Sequence, residues 1–301
     1  MIVARPDSAL SARIVESLPL HGVRAGSALV QVGGRLLLVQ DDALSVVWLG
    51  LPMDGERPAL EHVVLEGHGG PLPKPEKPDF EIALVGPGGA PYVLGSGSKA
   101  TRRRIARLDP VSGRASLIEA AALYEAVEAA LGELPNLEGA TLVAGALRLF
   151  HRRAGAEARA TATVDVAVEA LDGGPVVVLG VTRWDLGALL RDIGPSAPPR
   201  RVPLSFTDAA PGPDGRLYYL AVAEDTPSAI DDGPVIGAAV GVLESEHARW
   251  APLVEADGTP SVRKPEGLAL AEDGRTAFVV TDPDDASLPA DLCRVVLEGP
   301  W

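Results

Sequence analysis

Three glutamates (Glu81, Glu138, Glu266), one aspartate (Asp208) and one serine (Ser27) each open a short apolar run that meets a tight turn six to eight residues later. The chain then returns as a second apolar run with polar groups at its end: Asp41 and Asp42, Ser96 and Ser98, His151, Glu224 and Asp225, and Asp282. In an antiparallel hairpin the residue that begins one strand lies beside the residue that ends the next. If the hairpins share an axis, one mouth of the assembly is lined by carboxylates. Such a ring repels itself when fully ionised, so it must raise some pKa values, recruit Lys or Arg, or bind a cation. Calcium would satisfy it through about six to eight oxygen ligands. Lys99, Arg152, Arg153 and Lys264 adjoin the same predicted face and could neutralise it instead. Both solutions stay open on the residues alone.

If an ion is held there, it would polarise a phosphoryl or lactone carbonyl oxygen and orient a water for attack. By position and residue type His151 or Glu224 would be the general base. Lys99 and Arg152, with Glu81 and Asp41, would hold a small polar or anionic substrate. The alternative is a non-catalytic module whose mouth recognises a ligand or a protein, the acids serving strand geometry alone. The acidic segment Glu224 to Gly237, with Asp225, Asp231 and Asp232, is long for a hairpin connection and is expected to reach over the mouth as a lid.

Other motifs carry less. The run Arg102, Arg103, Arg104 is read as a solvated face or a phosphate contact. His62 and His68 lack zinc-protease spacing, and GSGSK at Gly95 to Lys99 follows a hairpin strand without the helix a phosphate loop needs. No nucleophile elbow of the G-x-S-x-G kind is present. Cys293, the single cysteine, lies in an apolar strand and reads as core; it excludes an internal disulfide.

The elements that must position these groups repeat. The openers are spaced 54, 57, 70 and 58 residues apart, which points to radially arranged four-stranded blades rather than a sandwich. Gly33-Gly34, Gly88-Gly89, Gly145, Asp214-Gly215 and Asp273-Gly274 supply the turn chemistry that hairpins require. The expected fold is an all-β propeller, one domain over residues 1–301, with five blades and six as the alternative. Ala12 to Leu18 is expected to join the final blade and close the ring. Two helical insertions are expected, Glu119 to Glu133 and a short one from an Asp185 N-cap through Arg191.

The phrases PNLEGATL, SFTDAAPGPDGRLYYLAVAEDT and KPEGLALAEDGRTAFVVTDPDD resemble bacterial propellers of the esterase-like phytase group and, more distantly, the gluconolactonase and strictosidine synthase propellers. They look most like uncharacterised bacterial propellers. The resemblance covers about Ala28 to Leu297 and implies that a metal-ligand role falls on Glu138, Asp208 and Glu266, with Asp282 as a further candidate. Gluconolactonase-like sites also use an Asn from an inner strand, and the only Asn here is Asn136, two residues before Glu138.

With 41 acidic and 27 basic residues the formal net charge is −14. That charge repels phosphate backbones and anionic lipid surfaces, so neither nucleic acid nor membrane is expected as a partner. The N-terminal residues show no basic region followed by an apolar core, and a cytoplasmic location is the expectation.

Overall fold

The computed structural model describes residues 1–51, 58–73, 76–152, 161–192, 198–226 and 233–301. Arg153, Asp231 and Asp232 lie outside the described residues. Strands dominate because apolar runs are cut at short intervals by residues that reverse the chain. Gly33, Gly88, Gly145, Gly215 and Gly274 all have φ between 58° and 82°, where a side chain would be strained.

The described strands form five antiparallel four-stranded ladders. The first comprises Gly26–Val32, Arg35–Gln40, Ser45–Gly50 and Leu60–Val64. The second comprises Phe80–Val85, Pro91–Gly95, Arg104–Leu108 and Ala115–Glu119. Leu137–Val143, Ala146–His151, Ala162–Ala167 and Val178–Asp185 make the third. Arg200–Pro211, Leu217–Glu224, Val235–Leu243 and Ala248–Val254 make the fourth. The fifth has Pro265–Leu270, Thr276–Thr281 and Ala290–Glu298, and its outermost strand is the N-terminal Ser11–Leu20, paired antiparallel with Ala290–Glu298.

The first strand of each ladder packs against the first strand of the next, and Pro265–Leu270 packs back onto Gly26–Val32. The core is correspondingly divided into walls between neighbouring ladders. Phe150, Phe206 and Tyr219 meet edge to face between the third and fourth, with centroids 5.1 and 5.4 Å apart. Leu29, Leu36 and Leu38 meet Phe278, Val280 and Leu292 between the fifth and first. A strand covered by ladders on both sides must be apolar on both faces, and Leu36, Leu37, Leu38 and Val39 are all 0% exposed.

Two elements depart from expectation. Residues 185–191 form no helix: Gly187, at φ 85°, turns the chain, the Asp185 carboxylate accepts its N–H, and Ala188–Arg191 continues as a strand antiparallel to the start of Arg200–Pro211. Ile2–Pro6 was not anticipated. It runs parallel to the outer strands of the third and fourth ladders and bridges them. The other expected helix forms over Ala121–Leu131, burying Leu123, Tyr124, Val127 and Leu131. No helix among the described residues is long and apolar enough to cross a membrane.

Every first strand carries a one-residue bulge, near the start in four of them and midway along Arg200–Pro211, which leaves Ser27, Glu81, Glu138, Thr207 and Glu266 out of the pairing. A bulge of this kind re-aims the side chain it releases. Close approach of neighbouring first strands depends on the residue that follows. At Gly139 a Cβ would come within 2.9 Å of the Ala209 nitrogen, and at Gly267 within 2.7 Å of the Leu29 nitrogen. The fourth ladder puts Asp208 in that place. Its carboxylate accepts N–H bonds from Ala209 and Leu268, each 2.7 Å, and the Leu29 amide also acts on it.

Asp208 thus ties three first strands together. Asp208→Ala strands buried amides without an acceptor, at roughly 1–3 kcal/mol each, whereas Asp208→Asn keeps one acceptor oxygen. Urea unfolding should show a large loss for Ala and a smaller one for Asn; two variants within 0.5 kcal/mol or so of wild type would remove the strut.

Candidate functional site

The bulges and the hairpin register decide which side chains meet. Leu137 pairs with His151, so the bulged Glu138 and the next residue on the returning strand, Arg152, share one end of the third ladder. Arg152 then reaches across ladders. Its Nη2 lies 2.7 Å from Glu224 Oε2, and its Nη1 lies 3.5 Å from Glu138 Oε2 and 3.7 Å from Glu266 Oε1. Each glutamate has further support. Asn136 Nδ2 donates to Glu138 Oε1 at 2.8 Å, and the Gly233 N–H donates to Glu224 Oε1 at 2.9 Å. Lys264 Nζ stands 3.7 Å from Glu266 Oε1 and 2.7 Å from Asp284 Oδ1. Glu266 Oε2 is buried and has no hydrogen-bond partner among the described residues.

A second group lies between the first and second ladders. Lys77 Nζ donates to both oxygens of Asp41, at 3.0 and 2.7 Å. Asp79 accepts from Arg102 Nη1 at 2.8 Å and from the Ser96 hydroxyl, and Arg102 also donates to Ser98 Oγ at 3.0 Å. Carboxylate oxygens of Asp41, Asp79 and Glu81 all lie within 4.8 Å of one another. Glu81, half-buried, takes no hydrogen bond or ion pair among the described residues, and it feels the charges of Glu138, Asp79, Asp41 and Glu266. The two groups are therefore one electrostatic unit.

Burial and mutual repulsion set its protonation. Burial raises the Glu266 carboxyl to about 7 against the opposing pull of Arg152 and Lys264. Burial likewise lifts Glu138 and Asp41, and it lifts Glu81 well above its ordinary value with Glu138 adding to the rise. Asp282 is raised to about 7 by burial, with Lys264 opposing. Burial works against the Arg152 guanidinium, and Glu138, Glu266 and Glu224 outweigh it, so its charge is held firmly.

The expected site residues divide accordingly. Glu81, Glu138, Glu224, Glu266, Asp41 and Arg152 come together; Asp282 is half-buried beside Lys264, whose carbonyl accepts its N–H at 2.9 Å. His151 does not join them. Successive strand residues face opposite sides, and with Arg152 turned to the acids, His151 Nδ1 accepts the Asn136 N–H at 3.1 Å and Nε2 lies 3.8 Å from Glu133. Burial lowers its pKa to about 4, so it stays neutral and away from the mouth. Lys99 stands exposed at a short helical turn and makes no ion pair among the described residues. Asp208 gives its oxygens to backbone amides, as described above. The arginine run faces carboxylates: Arg102, Arg103 and Arg104 pair with Asp79, Glu128 and Glu66. In the expected lid, Asp225 is held by Arg191 and Arg200.

Lys77, Asp79 and Arg102 were missed as site residues. A signal existed: Asp79, Asn136 and Lys264 each stand two residues before a bulged glutamate, and all three take part in the cluster. Two surface clefts lie away from the cluster, one lined by Trp184, Gly187 and Arg201 and one by Ile2, Arg5 and Arg249.

A family model described as a family of unknown function, DUF6929, matches residues 22–297. The chain belongs to this family. The DUF6929 match contains every residue of the cluster, and no curated protein matches the chain in sequence. Among solved structures, the glutaminyl cyclase of Myxococcus xanthus has a TM-score of 0.52 at 10% identity, covering 100% of this chain and 99% of that one. A protein of unknown function from Dyadobacter fermentans has a TM-score of 0.48 at 10% identity, with 98% and 100% covered. The PQQ-bound aldose sugar dehydrogenase of Streptomyces coelicolor has 0.42 at 12% identity, with 97% and 100% covered. The ring of ladders, together with the likeness to the Myxococcus xanthus structure, gives this DUF6929 chain a β-propeller fold.

Removing the central cation exposes what it neutralises. Arg152→Met takes from Glu138, Glu224 and Glu266 the cation they share and is expected to cost about 3–5 kcal/mol at pH 7.5. The loss should shrink at pH 5, and a pH-independent loss in chemical denaturation would contradict this balance. Glu266 has the complementary effect. Its folded pKa, about 7, exceeds the ordinary 4.5, so the folded state holds a proton that the unfolded chain releases. Its contribution to stability therefore falls as pH rises through that window and levels off above it. Glu266→Gln should melt above wild type at pH 7.5, with the gap closing toward pH 5; an unchanging gap would show that Glu266 does not titrate in this window.

Proposed function

We propose that the protein is a five-bladed ligand-binding propeller whose acidic mouth takes up a small polar molecule. The observation that carries this reading is an unbalanced cluster. Asp41, Asp79, Glu81, Glu138, Glu224, Glu266 and Asp282 face Lys77, Arg102, Arg152 and Lys264, and Glu81 is left without a partner among the described residues. A buried surplus of acids is costly to the fold, and binding sites are where such costs collect. The surplus belongs to several first strands at once, so a ligand would be gripped from several sides.

The metal expected at Glu138, Asp208, Glu266 and Asp282 does not fit those residues. The Arg152 guanidinium lies among Glu138, Glu224 and Glu266, and Asp208 is engaged by amides. We therefore derive no hydrolysis of a phosphoester or lactone through that ion. Glu224, bound to Arg152 and to the Gly233 amide, is also poorly placed to serve as a general base. Calcium keeps one specific argument, the convergence of Asp41, Asp79 and Glu81 oxygens within 4.8 Å. Against it, Lys77 and Arg102 already neutralise two of the three.

A panel of small polar compounds tested by thermal shift should contain some that raise the melting temperature of wild type but not of a Glu81→Gln/Glu138→Gln variant. Compounds that stabilise both alike bind elsewhere and would defeat the proposal. Calcium that stabilises wild type and not Asp79→Asn would favour the metal reading.

A further inference from the structure

Resting on the ligand-binding reading above, we infer that the ligand is anchored by a primary ammonium group donated to Glu266 Oε2 and Glu81. Glu266 is 5% exposed, and its Oε2 is a buried acceptor without a donor among the described residues. Its other oxygen, Oε1, lies 3.7 Å from both Arg152 and Lys264, so the carboxylate stands inside the cluster with one oxygen engaged and one open. An acceptor left unmatched in such a place costs stability that a donor would restore. Glu81 is half-buried and without a partner among the described residues, and it lies within the field of Glu266.

The chemistry of the donor follows from what surrounds it. An anion is repelled by the surplus of acids, and each neighbouring cation already faces a carboxylate. A hydroxyl would satisfy the open lone pair but leave the charge unbalanced. Calcium asks for about six to eight oxygen ligands, and Glu266 presents a single open oxygen beside two fixed cations. A guanidinium prefers both oxygens of one carboxylate as a planar fork, and Glu266 offers one. A primary ammonium brings three N–H donors and a single compact charge, which suits one open oxygen and a second carboxylate nearby. The same surplus disfavours amines that carry their own carboxylate, so the class is alkyl amines, diamines or amino sugars rather than amino acids. Because burial holds a proton on Glu266 near neutrality, binding displaces that proton and tightens as pH rises.

Isothermal titration with n-butylammonium chloride tests the assignment, with tetramethylammonium chloride as a cation of equal charge and no N–H donor. Saturable binding of n-butylammonium to wild type is expected. Tetramethylammonium should bind at least about tenfold more weakly, Glu266→Gln should weaken n-butylammonium by about tenfold or more while keeping a cooperative melt, and affinity should rise between pH 6 and pH 8. Equal binding of the two cations, or unchanged affinity in Glu266→Gln, would overturn the inference. If no amine binds while other polar compounds stabilise wild type and not Glu81→Gln/Glu138→Gln, the ammonium assignment fails and the ligand-binding mouth stands. If nothing binds at the mouth, both fail.

Discussion

One guanidinium holds the centre of this molecule. Arg152 comes from the third ladder, and the carboxylates it faces come from the third, fourth and fifth: Glu138, Glu224 and Glu266. Without a fixed cation, ladders that bring these acids together would be driven apart by the charges they carry. With one, the convergence becomes tolerable without being fully neutral. The incomplete compensation raises the carboxyls of Glu81, Glu138 and Glu266 above their ordinary range, and it leaves one oxygen of Glu266 unmatched among the described residues.

The apolar architecture makes this convergence unavoidable. Walls of Leu, Val and aromatic side chains fix each ladder against its neighbours, so the first strands cannot retreat from one another. The bulge then turns one side chain per ladder out of the pairing. Where that side chain is a hydroxyl, it closes the gap to the next ladder: Ser27 Oγ donates to the Phe80 carbonyl at 2.6 Å and Thr207 Oγ1 to the Pro265 carbonyl at 2.8 Å. Where it is a glutamate, it joins the cluster. The same backbone device serves as strut in two ladders and as site in three.

Much of this was legible in the sequence. The hairpins announced themselves through turn glycines and through runs such as Leu36 to Val39, which are apolar on both faces, and the closing strand at Ser11–Leu20 was visible as an apolar segment without a partner of its own. The convergence of acids followed from hairpin geometry alone. What escaped were features set by one-residue shifts. The bulge made Thr207, not Asp208, the counterpart of Glu138, and no pattern distinguishes an opener from its neighbour when both are polar. Strand alternation separated His151 from Arg152. Asp185 looked like the N-cap of a short helix through Arg191, and a positive φ at Gly187 made the segment a turn and a strand. Lys77 and Asp79 lie in a proline-rich connection, and where a connection lands depends on the finished fold.

A guanidinium and a metal ion cannot both occupy the space among Glu138, Glu224 and Glu266. A crystal structure of the protein grown with millimolar calcium near pH 7.5 tests it most directly. The Arg152 guanidinium should be found against Glu224 and between Glu138 and Glu266, with no ion among them. Density for a metal coordinated by Glu138 and Glu266, with Arg152 swung out of the cluster, would contradict it.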